Sequence, residues 1–231
     1  MNFEVFHEPK EPLKVIRETT DGGLRRRALL CLKEPLANGG DQAEQDVVVK
    51  LLCYHAAHDT QAPCRMAAID TMRKFRDPRI VPGLIDAYYR AGSLAPESAS
   101  VVRMLALGAL GDTGNPAAVD VLVRVLREPP TEGADGDRQQ KLTERIAAAR
   151  ALGRFKQYQA TSALVEVLQK ETDVALRTRA HESLVAATGK DLPADAASWA
   201  EFLNDPKSKD ALAREPTLRE RFLQLTGLKG D

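Results

Sequence analysis

The residues with the greatest chemical potential fall in one short run. Cys53, His55, His58 and Cys64 follow the pattern Cys-x-His-x-x-His-x5-Cys, four possible metal ligands within twelve residues. Two histidines three apart on a helix can share one metal, with Cys64 reaching back across a turn. The spacing matches no specific zinc pattern, and a helical array needs no structural metal. The run therefore reads as a helix junction with one buried cysteine and two surface histidines, and no metal or other cofactor is expected. Paired histidine and glutamate occur at His7-Glu8 and His181-Glu182. There is no G-x-S-x-G elbow and no Walker-type loop. Gly108-x-x-Gly111-x-x-Gly114 follows helical rather than strand patterning, so it reads as a helix end and turn, not a phosphate loop. No catalytic constellation emerges, and the chain is read as a non-enzyme.

What does recur is arginine. Arg25, Arg65, Arg103, Arg145 and Arg177 each begin the pattern Arg-x-x-Ala-x-x-x-Leu/Met, with Ala28, Ala68, Ala106, Ala148 and Ala180 as the small residue. The apolar residue four places on is Leu32, Met72, Leu110, Leu152 or Leu184. Residues four apart share one helical face, and a small one there lets a neighbouring helix approach closely. The arginines of repeats two to four are read as an internal ladder bonded to acids or helix-end carbonyls.

The second half of each unit repeats as well. Twelve residues after the arginine come Asp77, Asn115 and Gln157, the first two followed by Pro78 and Pro116. An Asp or Asn accepts from a free N–H at a helix start, and proline suits the first helical turn. Apolar stripes follow at Val81/Leu84/Ile85, Val119/Leu122/Val123 and Thr161/Leu164/Val165, again with a period of 3.6. Each unit reads helix A, tight turn, helix B. In the first, the turn is lengthened (34–45) and helix B is placed at Asp46–His58. Sustained alternation that would mark strands is nearly absent.

Stretches such as RMLALGALGDTGNPAAVDVLVRVL (103–126) and RIAAARALGRFKQYQATSALVEVL (145–168) resemble bacterial HEAT repeats of the phycobilisome-lyase type. The resemblance covers about residues 24–203. It implies an all-α, right-handed superhelical solenoid of about five helix pairs, with units starting near 24, 64, 102, 144 and 176. The last unit is atypical: TGKD (188–191) and then a helix carrying Trp199 resemble the closing segment of such domains. It is read as a cap, with Gly189 as a left-handed stop, Asp195 as a new N-cap and Trp199 in the core. Residues 1–23 are a leader segment. Residues 204–231 are a linker (Asn204–Pro216) and an amphipathic helix, Thr217–Thr226, whose Leu218, Phe222 and Leu225 share one side. Loops are expected at Ala91–Glu97 and, longest of all, at Pro129–Gln139. The His-Glu pairs are similar to the iron ligands of deoxyhypusine hydroxylase, a HEAT-repeat enzyme that uses four matched pairs. Only one pair here falls in the array, so that activity is disfavoured.

Charge narrows the partner. The 33 basic and 33 acidic residues of this 231-residue chain balance, whereas a nucleic-acid reader needs a basic stripe to collect phosphates. Three cysteines make no disulfide framework and fit a reducing compartment. No signal peptide or membrane span is visible. A cytoplasmic monomer is expected.

In HEAT arrays the B helices generally line the concave side. The resemblance then places Asp86, Tyr89, Asp120, Arg124, Arg127, Glu166 and Gln169 on that side, while Tyr88, aligned with Leu126 and Leu168, is core. The reading is a scaffold or adaptor that holds a protein partner on this face. Tyr89, Arg124 and Arg127 are the preferred contacts, since tyrosine and arginine dominate interface energetics. Two alternatives stand beside it: an accessory of the phycobilisome-lyase kind helping to attach a tetrapyrrole to a partner, and a peripheral membrane or coat-like component using the C-terminal helix.

Overall fold

The computed structural model describes residue 9, residues 11–129 and residues 135–213. Among these residues there is no strand. The α-helices are α1 (Pro12–Glu18), α2 (Gly22–Cys31), α3 (Gln42–His58), α4 (Ala62–Met72), α5 (Ile80–Arg90) and α6 (Pro96–Asp112). They continue with α7 (Val119–Arg127), α8 (Asp135–Leu152), α9 (Tyr158–Lys170), α10 (Val174–Thr188), α11 (Ala196–Asn204) and α12 (Pro206–Ala213). The chain is an all-α array of helices packed in sequential pairs, in chain order.

The A helices α2, α4, α6, α8 and α10 form one row, each touching the next. The alanine column makes that row possible: Ala28, Ala68, Ala106, Ala148 and Ala180 are all 0% exposed. The residue one turn on is buried in every repeat, from Leu32 to Leu184. Small side chains bring backbones close, and the turn above supplies apolar area, worth about 25 cal/mol per Å² removed from water. The second row holds α3, α5, α7, α9 and α11. Contacts run α3–α5 and α7–α9–α11, but α5 and α7 approach each other less closely. The A and B helices of one sequence repeat touch each other only lightly. Each B helix packs on the A helix after it about as closely as neighbouring A helices pack on each other: α3 on α4, α5 on α6, α7 on α8 and α9 on α10.

Helix ends follow local chemistry. α3 starts at Gln42, four residues before the sequence reading placed it. The Asp41 carboxylate accepts from the Glu44 N–H at 2.8 Å while Glu44 accepts from the Asp41 N–H, closing a capping box. Asn115 caps the short 3₁₀ turn Pro116–Ala118, and the Asp77 carboxylate accepts from the Arg79 N–H, but Gln157 makes no side-chain cap. The segment expected as the longest loop is helical from Asp135, where Asp135 and Asp137 meet the positive end of the α8 dipole. Gly108 and Gly111 lie in the last turns of α6, and Gly114 takes a left-handed φ of 59° just beyond it. The glycine run is therefore a helix end and turn.

Both ends are covered. α1, within the segment read as a leader, lies on α2 and buries Ile16. At the other end α10 stops at Gly189 with φ 69°, and the Asp195 carboxylate accepts from the Ser198 N–H. α11 then lies on α9 and buries Trp199 completely, edge-on to Phe202 at 6.1 Å. Part of the segment read as a linker is α12, begun by Pro206 after Asp205, whose carboxylate accepts from the Ser208 N–H. The proposed helix at Thr217–Thr226, with Leu218, Phe222 and Leu225, and the pair His7-Glu8 lie outside the described residues. Among the described residues, no helix is long and apolar enough to cross a membrane.

Candidate partner-binding surface

Arg25, Arg65 and Arg145 form an internal ladder that follows a rule spacing alone did not reveal, while Arg177 of the last repeat is exposed. The B helices α3, α7 and α9 end on an acidic residue: Asp59, Glu128 and Glu171. Arg25 grips Asp59 with two bonds, at 2.8 and 3.1 Å. Arg145 pairs with Glu171 and donates to the Leu126 carbonyl at 2.9 Å. Where α5 ends instead on Ala91, Arg65 donates to the carbonyls of Asp59 and Arg90 and to the Ser93 hydroxyl, at 2.6 to 3.0 Å. A cation at the negative end of a helix is favourable, and here it also satisfies carbonyls that have no partner within their helix.

Arg103 breaks the rule. By position its partner is Glu128, but Lys141 takes that carboxylate. Arg103 instead makes one hydrogen bond of 3.4 Å, to Glu144 on α8. Glu144 is 3% exposed. Its carboxylate also accepts from the Tyr88 hydroxyl at 2.8 Å and the Gln140 amide at 3.2 Å. Burial, with the Glu144 charge beside it, pushes the Tyr88 phenol well above its ordinary value, so it remains a donor. Around this network, where the second row opens, lies a cleft of about 400 Å³ lined by α5, α6 and α8, with Tyr89 at its edge. A second cleft on the other side of Tyr89 is lined by His58, Arg65, Arg90 and Leu94. Tyr89 is half exposed, and its ring meets Tyr88 edge-on at 5.1 Å.

The structure sets the other sequence-derived candidates along the outer faces of α5, α7 and α9 and joins several of them. Arg127 forks onto Glu166 across α7 and α9, at 3.0 and 2.6 Å. Asp120 accepts from Gln159 at 2.7 Å. Asp86 accepts from Arg90 at 2.7 Å and lies 3.7 Å from His58. Arg124 and Gln169 are exposed. Tyr88 is buried, as its alignment implies, but it also carries a polar function that alignment did not show. Sequence reasoning missed Glu144. One signal was present: the residue before the column arginine is Leu24, Cys64, Val102 and Leu176 in the other units. An acid in an otherwise apolar column marks a buried charge.

The Cys/His run does not converge. Cys64 is buried, its thiol donating to the Gly22 carbonyl at 3.3 Å, and Cys53 lies against α5. His55 is not a surface residue: its Nδ1 meets the Asp59 carboxylate at 2.8 Å, in the pocket that also takes Arg25. His58 stacks on Tyr54 at 5.2 Å. Among the described residues no group of three His, Cys, Asp or Glu side chains is placed to hold a metal ion. His181 is likewise structural, bonded to the Leu192 carbonyl at 2.8 Å and edge-on to Trp199.

Residues 102–128 and 144–170 match the PBS lyase HEAT-like repeat family. The chain carries PBS lyase HEAT-like repeats. The matched stretches begin one residue before Arg103 and at Glu144, so the two sides of the Arg103–Glu144 pair sit at the heads of the two repeats. A comparison with curated proteins gave no match.

Proposed function

We propose that this HEAT-like repeat protein holds a partner protein on the outer faces of its B helices and performs no catalytic step of its own. The observation that carries the reading is the exposed Tyr89, set between two clefts and continued by the Arg124, Arg127, Glu166 and Gln169 row. Such a surface is long, ridged and polar, with an aromatic anchor, as partner-binding faces of repeat arrays are. In this reading the array winds as a right-handed superhelix with the B helices on its concave side. Mixed charge on the face favours a protein over a nucleic acid.

The repeat family favours one version of this function: an accessory in tetrapyrrole attachment, in which the protein held is the pigment's acceptor. A visible absorbance band that co-purifies with the captured partner supports that version, and a colourless complex supports a general adaptor. For the surface itself the test is capture by the wild-type chain against the Tyr89→Ala/Arg127→Ala variant. Recovery of the partner is expected to fall at least tenfold, and equal recovery by both chains overturns the proposal.

A further inference from the structure

We propose that the cleft between α5 and α8 receives the cationic side chain of an arginine or lysine from an extended segment of the partner. This deepens the reading of the B-helix face as a partner surface and rests on it. In the cleft lining Glu144 and Arg103 neutralise each other. Lys141 pairs with Glu128, which leaves the exposed Asp137 carboxylate without a cation among the described residues, so the lining carries one net negative charge. Tyr89 presents a half-exposed ring at the same edge, and contact with Tyr88 fixes its orientation. A carboxylate-lined slot with an aromatic wall suits a guanidinium or ammonium group, which gains both charge attraction and cation–π contact. A carboxylate would be repelled by Asp137.

Arg103 adds a positioning feature. Arg65 and Arg145 donate to main-chain carbonyls of neighbouring helix ends, while among the described residues Arg103 holds only its 3.4 Å bond to Glu144. Arg103 lines the cleft, with one terminal nitrogen on Glu144 and the other beside Gly92, and in this proposal it donates to a main-chain carbonyl of the incoming peptide. Repeat three thus offers to a partner the bond that its neighbours make within the array.

The test is NMR titration of the ¹⁵N-labelled full chain with the blocked tripeptide acetyl-Gly-Arg-Gly-amide, and separately with acetyl-Gly-Glu-Gly-amide. The arginine peptide is expected to give saturable shifts at the Tyr89, Asp137 and Gln140 signals, weakened at least threefold by Tyr89→Ala or Asp137→Asn. Both residues are exposed, so the fold is retained in the variants. Added salt should weaken binding further. Equal or stronger shifts with the glutamate peptide overturn the inference and make Arg103 an anion receptor. Absence of shifts with the arginine peptide, while Arg127→Ala still releases the partner, sinks the cleft and leaves the face standing. Arginine-peptide binding, with partner capture lowered by Tyr89→Ala but unaffected by Arg127→Ala, keeps the cleft and removes the wider face, whereas capture unaffected by Tyr89→Ala overturns the cleft as the partner's site.

Discussion

If Arg103 is set aside for a partner, it should matter less to folding than its counterparts in the column. Replacement by methionine keeps the apolar stem and removes the guanidinium, which separates packing from hydrogen bonding. Arg145→Met removes a bond to the Leu126 carbonyl and the pairing with Glu171, and Arg65→Met removes three bonds to helix ends and Ser93. A hydrogen bond to a charged group contributes about 1.5–3 kcal/mol, and these sets are not additive. Because the Glu171 side chain is partly exposed, its share is discounted for screening. A loss of about 3 kcal/mol is expected for each variant. Arg103→Met removes one 3.4 Å bond, and Glu144 keeps its bonds from Tyr88 and Gln140 with the Lys141 cation 4.0 Å away to offset its charge, so a loss of about 1 kcal/mol is expected. The assay is equilibrium urea unfolding followed by far-ultraviolet circular dichroism. Fluorescence of Trp199, the single tryptophan, reports the cap separately, because repeats couple only to their neighbours. If Arg103→Met destabilises as much as Arg145→Met, Arg103 is an ordinary member of the ladder, and the reasoning that frees it is wrong.

Two further outcomes follow from close packing and from charge. A Cβ at Gly108 enters open space, whereas one at Gly111 comes within 3.0 Å of the Ala151 Cα and Cβ on the facing helix. Gly108→Ala should therefore gain up to about 1 kcal/mol from helix propensity. Gly111→Ala, one turn away, should lose about 1–3 kcal/mol to overpacking, partly offset by the same gain. Thermal melting of the two variants in parallel checks this, and equal melting temperatures refute it. Burial drives the Asp59 carboxyl upward, but His55, Arg25 and the Gln61 N–H outweigh it and hold the group well below the ordinary carboxylate range. A depressed folded value means the stabilisation is complete above the unfolded value of about 4 and is lost as pH falls below it. Urea midpoints measured from pH 6 to pH 3 should drop less steeply for Asp59→Asn than for the wild type. Identical slopes would remove Asp59 as a source of the acid sensitivity.

The helical register was legible from the chain because it depends on spacing. An arginine, an alanine three places on and a leucine or methionine four further mark one helical face, and its alanine and its leucine or methionine are buried in every repeat. Caps such as Asp195 and stops such as Gly189 were readable for the same reason: each acts on backbone groups within a few residues. The capping box at Asp41 was equally local but lay in a stretch read as turn. Packing depended on residues brought together from distant parts of the chain. That each B helix packs on the following A far more than on the A of its own repeat follows from how their surfaces mesh and not from the repeat boundary. The pairing of column arginines with the acids that end the B helices joins residues 26 to 34 apart and differs from unit to unit. Only the folded array shows that Lys141 takes Glu128, that Arg103 is left with Glu144 and that a cleft opens beside Tyr89. A charge's partner is set by distance and burial in three dimensions, and the local sequence pattern carries neither.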